Sequence, residues 1–170
     1  MITLRKAKFD DCTYFHKWES DDNVIQFLSI PKGKTYEEVV REFIKREQDD
    51  TMMDFAVLLN GEMIGRAYLS RYDKNTKSID ITRIYIGEQE HRGKGLGRVM
   101  MLALMRFCFE KLELNRVTLD YFDGNPAQAM YEALGFAFEG VAREAGYKDG
   151  AFYNFNLMSM LQSEWKNRNE

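Results

Sequence analysis

Gly93, Gly95 and Gly97 alternate within "EHRGKGLGRVM", between Arg92 and Arg98, and this run limits what its neighbours can be. Upstream, "SIDITRIYIG" alternates as a strand does; downstream, an apolar run from Arg98 to about Leu112 has helical spacing. Strand, glycine turn and helix in that order leave a row of main-chain N–H groups free at the helix start. The positive end of the helix dipole lies behind them. Such a place takes anions, and glycine lets a phosphate come close to the backbone. Arg92, Lys94 and Arg98 add positive charge. The stretch predicts a cradle for a pyrophosphate.

Two nucleotide-binding loops do not fit it. A dinucleotide fingerprint needs G-x-G-x-x-G, and here the third glycine comes one position early, before Arg98. No acidic residue closing a second parallel strand follows at the required distance. A P-loop needs four residues between its glycines and then Lys with Ser or Thr. Five residues separate Gly87 from Gly93, and Gly95 follows Lys94.

The remaining elements read simply. "ITLRKA" alternates like a strand, and "DDCTYFHKWES" reads as a helix behind a capping aspartate. "KTYEEVVREFIKREQ" sets Val39, Val40, Phe43 and Ile44 on one helical face. "DFAVLLNGEMIGRAYLSRY" is a hairpin turned at Asn60-Gly61, and Asp73–Thr76 turn into the next strand. After the glycine helix come the strand "RVTLDYF" and the short helix "PAQAMYEAL" opened by Pro126. Two long strands around Asp149-Gly150 close the chain. The order β-α-α-β-β-β-α-β-α-β-β implies an α/β (α+β) fold, a mixed sheet with helices on its faces. Without linkers or repeats, residues 1–170 read as a single domain.

Composition excludes some classes. No apolar run is long enough to span a membrane, and "MITLRKAKFDD" has no secretory signal region. A net charge of −3 announces no nucleic-acid face. Cys12 and Cys108 read as reduced thiols of a cytoplasmic protein, Cys108 buried in "MLALMRFCF". No metal-ligand set is read.

Arg92-x-x-Gly95-x-Gly97 resembles the acyl-CoA signature of the GNAT (GCN5-related) N-acetyltransferases, and the likeness extends over nearly the whole chain. The element order is similar, and "NPAQAMYEALGF" resembles the family's second motif: Asn125, then Tyr131, then Gly135-Phe136. The tail is similar to the branch holding ribosomal-protein N-terminal and polyamine acetyltransferases. The resemblance implies a mostly antiparallel sheet of about seven strands. It also implies direct transfer of acetyl from acetyl-CoA to a primary amine: a protein N-terminus, a polyamine or another small amine.

The resemblance places the pyrophosphate on the backbone of Arg92, Gly93, Lys94, Gly95, Leu96 and Gly97, with Arg98 opening the helix. Ile84, Tyr85 and Ile86 would pair with the pantetheine arm, an N–H there facing the thioester oxygen. Tyr131 becomes the general acid, because a phenol with a pKa of about 10 holds a proton to give the departing thiolate. An alkylammonium must lose a proton, and Asp80 is the candidate base: it shares a two-residue period with Thr82, Ile84 and Ile86. A carboxylate facing solvent, or paired with Arg83, is the plain alternative for Asp80. His91 reads as a solvated loop residue or a neighbour of the phosphate, and His16 as a residue on a surface helix.

Three departures from the family pattern stand out. The chain from Ile86 to Arg92 is one residue longer than in many relatives, leaving room for a bulge that would change Asp80's facing. Asn125 to Tyr131 is one residue shorter, which bears on Asn125 as a cofactor contact. Asn154 stands where relatives often have Asp. For the acceptor, Trp18, Phe27, Tyr147, Phe152 and Tyr153 form a candidate apolar slot, and Glu19, Asp21 and Asp22 candidate attractors of a cation. A homodimer paired through "FYNFNLMSML" is expected. A non-catalytic acyl-CoA sensor would keep the cradle without needing Tyr131, and a nucleotide-phosphate site is a third possibility.

Overall fold

The computed structural model describes residues 1–168; positions 169 and 170 of the expected domain lie outside the described residues. The chain runs β1 (Ile2–Lys6), α1 (Cys12–Glu19), α2 (Asp22–Ile25), α3 (Tyr36–Glu47), β2 (Met53–Leu59), β3 (Glu62–Asp73) and β4 (Ser78–Ile86). Then follow α4 (Leu96–Arg106), β5 (Arg116–Phe122), α5 (Gln128–Ala133), β6 (Ala137–Lys148), β7 (Ala151–Leu161) and α6 (Gln162–Arg168). The expected order holds, with the one-turn α2 and the terminal α6 added. A π-helical turn over Phe107–Lys111 carries α4 on toward Leu112.

Local chemistry explains the boundaries. Thr35 and Glu38 cap α3 reciprocally: the Thr35 hydroxyl accepts from the Glu38 N–H at 3.2 Å, and the Glu38 carboxylate accepts from the Thr35 N–H at 2.7 Å. Asp11 stands at the start of α1 but its side chain does not cap that helix: Arg5 holds the carboxylate at 3.0 and 2.9 Å, and it accepts from the Lys8 N–H at 2.7 Å in the turn before. Asn60 and Gly61 turn with φ of 52° and 94°, the pair of positive angles a tight hairpin needs.

The sheet order is β1-β2-β3-β4-β5-β7-β6. Every pairing is antiparallel except β4 with β5, which is parallel over four rungs from Ser78↔Arg116 to Ile81↔Leu119. Beyond Ile81 and Leu119 the two strands part, and a wedge opens in mid-sheet. The strand expected to make a dimer, β7, lies between β5 and β6, so the free edge at that end belongs to β6.

Each face carries its own core. Ile79, Ile81, Leu119 and Tyr121 pack with Met101, Leu104 and Met105 of α4. Phe15 and Trp18 of α1 and Phe43 of α3 cover the other face, with Tyr85. A bulge decides which β4 residues point where. Tyr68 and Leu69, adjacent in β3, pair with Arg83 and Ile81, so Thr82 is the extra residue. The two-residue period therefore breaks at Thr82: Ile84 and Ile86 pack toward α4, whereas Tyr85 and Arg83 turn toward α1. Asp80 does not share a face with Ile84 and Ile86.

Candidate active site

The glycine turn has the expected form. Gly93 and Gly95 have φ of 71° and 75°, and nothing lies within 4 Å of where their Cβ atoms would be. Gly95 precedes α4 in the left-handed region with no side chain capping the helix. Among the described residues the N–H groups of Gly93, Lys94, Gly95, Leu96 and Gly97 have no hydrogen-bond partner. Lys94 and Arg98 are exposed beside them. Free donors, a helix start and two cations suit a pyrophosphate.

Arg92 is used differently. Its guanidinium turns back to donate to Asp21 at 3.0 Å, to the Gly87 carbonyl and to the Ile86 carbonyl at 3.3 Å. Trp18 donates its indole N–H to Glu88 at 3.0 Å, and Lys17 reaches the same carboxylate at 2.8 Å. Gly87 lies so close under Trp18 that a Cβ there would stand 2.0 Å from the ring. The α1 region is thus riveted to the entrance of the glycine turn.

Inside the wedge is a cavity of about 180 Å³, lined by Arg83, Asp120, Tyr121, Phe122, Tyr131 and Phe155 among others. The β4 edge from Thr82 to Ile86 that would face β5 has no ladder partner. Tyr131 packs against Tyr121 and Phe136 at ring separations of 5.9 and 6.1 Å. Its hydroxyl makes no hydrogen bond among the described residues. Burial, with the charge of Asp120, pushes its pKa up to about 12, so it stays a phenol at neutral pH. Asn125 lines the cavity, and its side-chain oxygen accepts from the Ala127 N–H at 2.9 Å to start α5.

The expected base, Asp80, is 7% exposed and accepts from Thr82 at 2.8 Å and Thr118 at 2.7 Å. Sequence reasoning missed its neighbour Asp120, two residues along β5 from Thr118, which borders the cavity. Burial and the Asp80 charge raise its pKa to about 6, against the pull of Arg71. Solvent still reaches Asp120, and screening tempers that shift. The signal was available: in "RVTLDYF" Asp120 is the one acid in a strand, two residues past Thr118.

The proposed attractors of a cationic acceptor are taken. Glu19 is buried, accepting from Arg66 at 2.7 Å, Lys34 and Tyr85 at 3.0 Å and Arg83 at 3.3 Å. Burial would raise its pKa, but Arg83, Arg66 and Lys34 outweigh it and hold it at about 2. Asp21 pairs with Arg92, and Asp22 with Lys32 at 3.3 Å. Of the aromatic residues, Phe27 lines the cavity and Tyr153 stacks behind it on Phe122 at 4.7 Å. Trp18 is buried, while Tyr147 and Phe152 are exposed against each other at the β6–β7 tip. His91 lies 3.5 Å from Glu90, and His16 meets the Tyr36 ring edge-on.

A parted sheet with free N–H donors at one end of the gap and a phenol inside it suits group transfer from a phosphate-bearing carrier. The chain belongs to the GNAT family: the family model described as an acetyltransferase (GNAT) domain matches residues 1–137. The spermidine N(1)-acetyltransferase of Vibrio cholerae is 26% identical over 99% of this chain and 98% of its own length. A solved structure of spermidine N-acetyltransferase from that organism, in complex with CoA and spermine, superposes with a TM-score of 0.88 at 26% identity, covering 98% of both chains. Bacillus subtilis YdaF, provisionally named a ribosomal N-acetyltransferase, is 30% identical over 78% of this chain and 72% of its own. The protein is an N-acetyltransferase that acetylates amines.

Proposed function

We propose that residues 1–170 work as one domain that moves the acetyl group of acetyl-CoA directly onto a primary amine in a ternary complex. The observation that carries this is the wedge: free N–H groups at its mouth, an unpaired β4 edge along one side and the Tyr131 hydroxyl within. The cradle from Arg92 to Gly97 takes the pyrophosphate through its backbone, with Lys94 and Arg98 as counter-charges. Arg92 contributes through its main chain while its side chain braces the turn. The backbone of Ile84, Tyr85 and Ile86 receives the pantetheine arm, and Asn125 keeps its side-chain N–H₂ free to contact it.

The bulge gives the two sides of the gap different duties. Asp120 and Asp80 lie toward the α1 face, where the amine enters; Tyr131 lies toward the α4 face. Asp120, the carboxylate that borders the cavity, takes the ammonium proton directly or through water, and Asp80 raises its basicity. Bound acetyl-CoA supplies an activated acyl group, so that a carbon–nitrogen bond forms as the carbon–sulfur bond breaks. Tyr131 gives its proton to the leaving sulfur, and solvent returns to the phenolate the proton released from nitrogen.

The experiment is thiol release from acetyl-CoA over a panel of amines, with coenzyme A binding measured in parallel. Tyr131→Phe is expected to bind coenzyme A normally and to lose turnover about a hundredfold. Binding with no release on any amine favours the sensor instead. The buried thiols Cys12 and Cys108 support a reducing, cytoplasmic setting. The free edge of β6, with Phe138 and Val141 exposed, supports a homodimer through that strand. A solved form of the Vibrio cholerae relative is dodecameric.

A further inference from the structure

The charges lining the wedge do not balance like those of a polycation site. Behind its α1-side wall, Lys34, Arg46, Arg66 and Arg83 form one connected set with Glu19, Glu42 and Asp54. Four cations share three carboxylates, which leaves one positive charge over. It falls on Arg83. Arg66 grips Asp54 with two nitrogens, and Lys34 holds both Glu19 and Glu42. Arg83 has a single contact, 3.3 Å from a Glu19 oxygen that Arg66 and Tyr85 already occupy more closely. Arg83 is also the member of the set that lines the cavity, and its guanidinium has donors beyond the one given to Glu19.

Asp120 is the complementary case, a carboxylate on the same cavity with no hydrogen bond among the described residues. Ser29 and Thr82 add neutral polar groups to the wall, and an apolar part stands beside them: Phe122 and Phe155 stack at 5.1 Å, and Val24, Phe27 and Leu28 close the other side. Lys148 pins that loop by donating to the carbonyls of Ile25 and of Leu28, the latter at 2.9 Å. At about 180 Å³ the cavity is smaller than the roughly 300–1,000 Å³ usual for drug-sized ligands, which suits the short end of an acceptor.

Building on the acetyl-transfer reading, we propose that the acceptor is an α-amino acyl group, an amine whose neighbouring carbon carries a carboxylate or carbonyl. Asp120 receives the ammonium, Arg83 forks onto the carbonyl or carboxylate oxygen, and Phe122 and Phe155 receive an apolar side chain. Arg83 is then the specificity determinant. It rewards an oxygen beside the amine and repels a second ammonium, so polyamines are the disfavoured acceptors of this chain.

The test compares acceptors that differ in one group: phenethylamine, phenylalanine, phenylalaninamide, a dipeptide amide with N-terminal Phe, and spermidine. The wild-type protein is expected to give kcat/KM at least tenfold higher for phenylalaninamide or the dipeptide than for phenethylamine, with spermidine lowest. Free phenylalanine against the dipeptide tells an amino acid from a peptide N-terminus as the source. Arg83→Met is expected to erase the ratio, leaving coenzyme A affinity and the melting temperature within error of Arg83→Lys, which retains part of the preference. Should Arg83→Met not fold, the wild-type ratios decide alone. Phenethylamine or spermidine matching phenylalaninamide overturns the inference while leaving acetyl transfer intact. No release on any amine removes acetyl transfer itself.

Discussion

Two polar regions of this molecule lie on either side of Trp18, and they treat hydrogen-bonding capacity in opposite ways. In the ionic knot around Glu19 and Arg66, buried charges answer one another, and both side chains are fully buried. At the turn before α4, main-chain donors from Gly93 to Gly97 are left unanswered and open. Unpaired polar groups are costly only where water cannot reach them. The knot therefore answers nearly every group, Arg46 Nη1 being its buried atom without a hydrogen bond among the described residues, whereas the donors of the turn can stay open to solvent. One region holds α1, α3 and the sheet together; the other leaves its main-chain donors open to solvent.

The comparison breaks most sharply at Glu19. Glu19→Gln leaves Arg66 and Lys34 facing a neutral amide in a sealed space, and breaking such a buried pair costs about 3–5 kcal/mol. Urea unfolding should show a lower midpoint at unchanged slope. The Glu19 pKa is depressed from 4.5 to about 2 on folding, so its contribution is whole above pH 4.5 and is lost as pH falls toward 2. In Glu19→Gln that part of the acid limb should be flattened; an unchanged acid profile would remove Glu19 from the stability argument.

Smaller effects are expected at the open end. Gly95→Ala meets no clash, but it puts a Cβ on a backbone at φ 75°, a strain of about 1–2 kcal/mol. It should weaken coenzyme A binding about tenfold while the knot's acid limb stays in place. Asp120→Asn should abolish a fall in kcat/KM that the wild type shows as pH drops through about 6, with coenzyme A affinity unaltered. The mildest change is Asp21→Asn, which loosens the Arg92 brace. A two- to threefold rise in the coenzyme A dissociation constant is about 0.5 kcal/mol, the usual worth of a half-exposed ion pair. No change would make that brace ornamental.

Much of this was legible in the sequence because it is written locally. Alternating glycines, Asn60-Gly61 and Pro126 act within a few residues, and so they announced the glycine turn, the first hairpin and the helix bearing Tyr131. Distant relations were not legible. In the sequence Glu19 reads as an attractor of a cationic acceptor and Arg83 as a partner for Asp80, and nothing joins them to Lys34, Asp54 and Arg66 until the fold brings them together. Counting by twos along β4 fails at Thr82, since a bulge is a property of two strands and not of one. Asp80 was thus aligned with the wrong neighbours, and Asp120, across the gap, passed unnoticed. Arg92 was read as phosphate charge because its type allowed it; its tie to Asp21 needed coordinates.

The four rungs joining β4 to β5 make the sheet two panels on a narrow hinge. One panel, β1 to β4, bears the glycine turn; the other, β5 to β7, bears Asp120, Phe122, Phe155 and Tyr131. Mutations at Phe122 or Phe155 reshape the guest's wall on the second panel and leave the glycine turn and Arg83, both on the first, in place. A lineage built on this plan can therefore change diet by redecorating one leaf of the door.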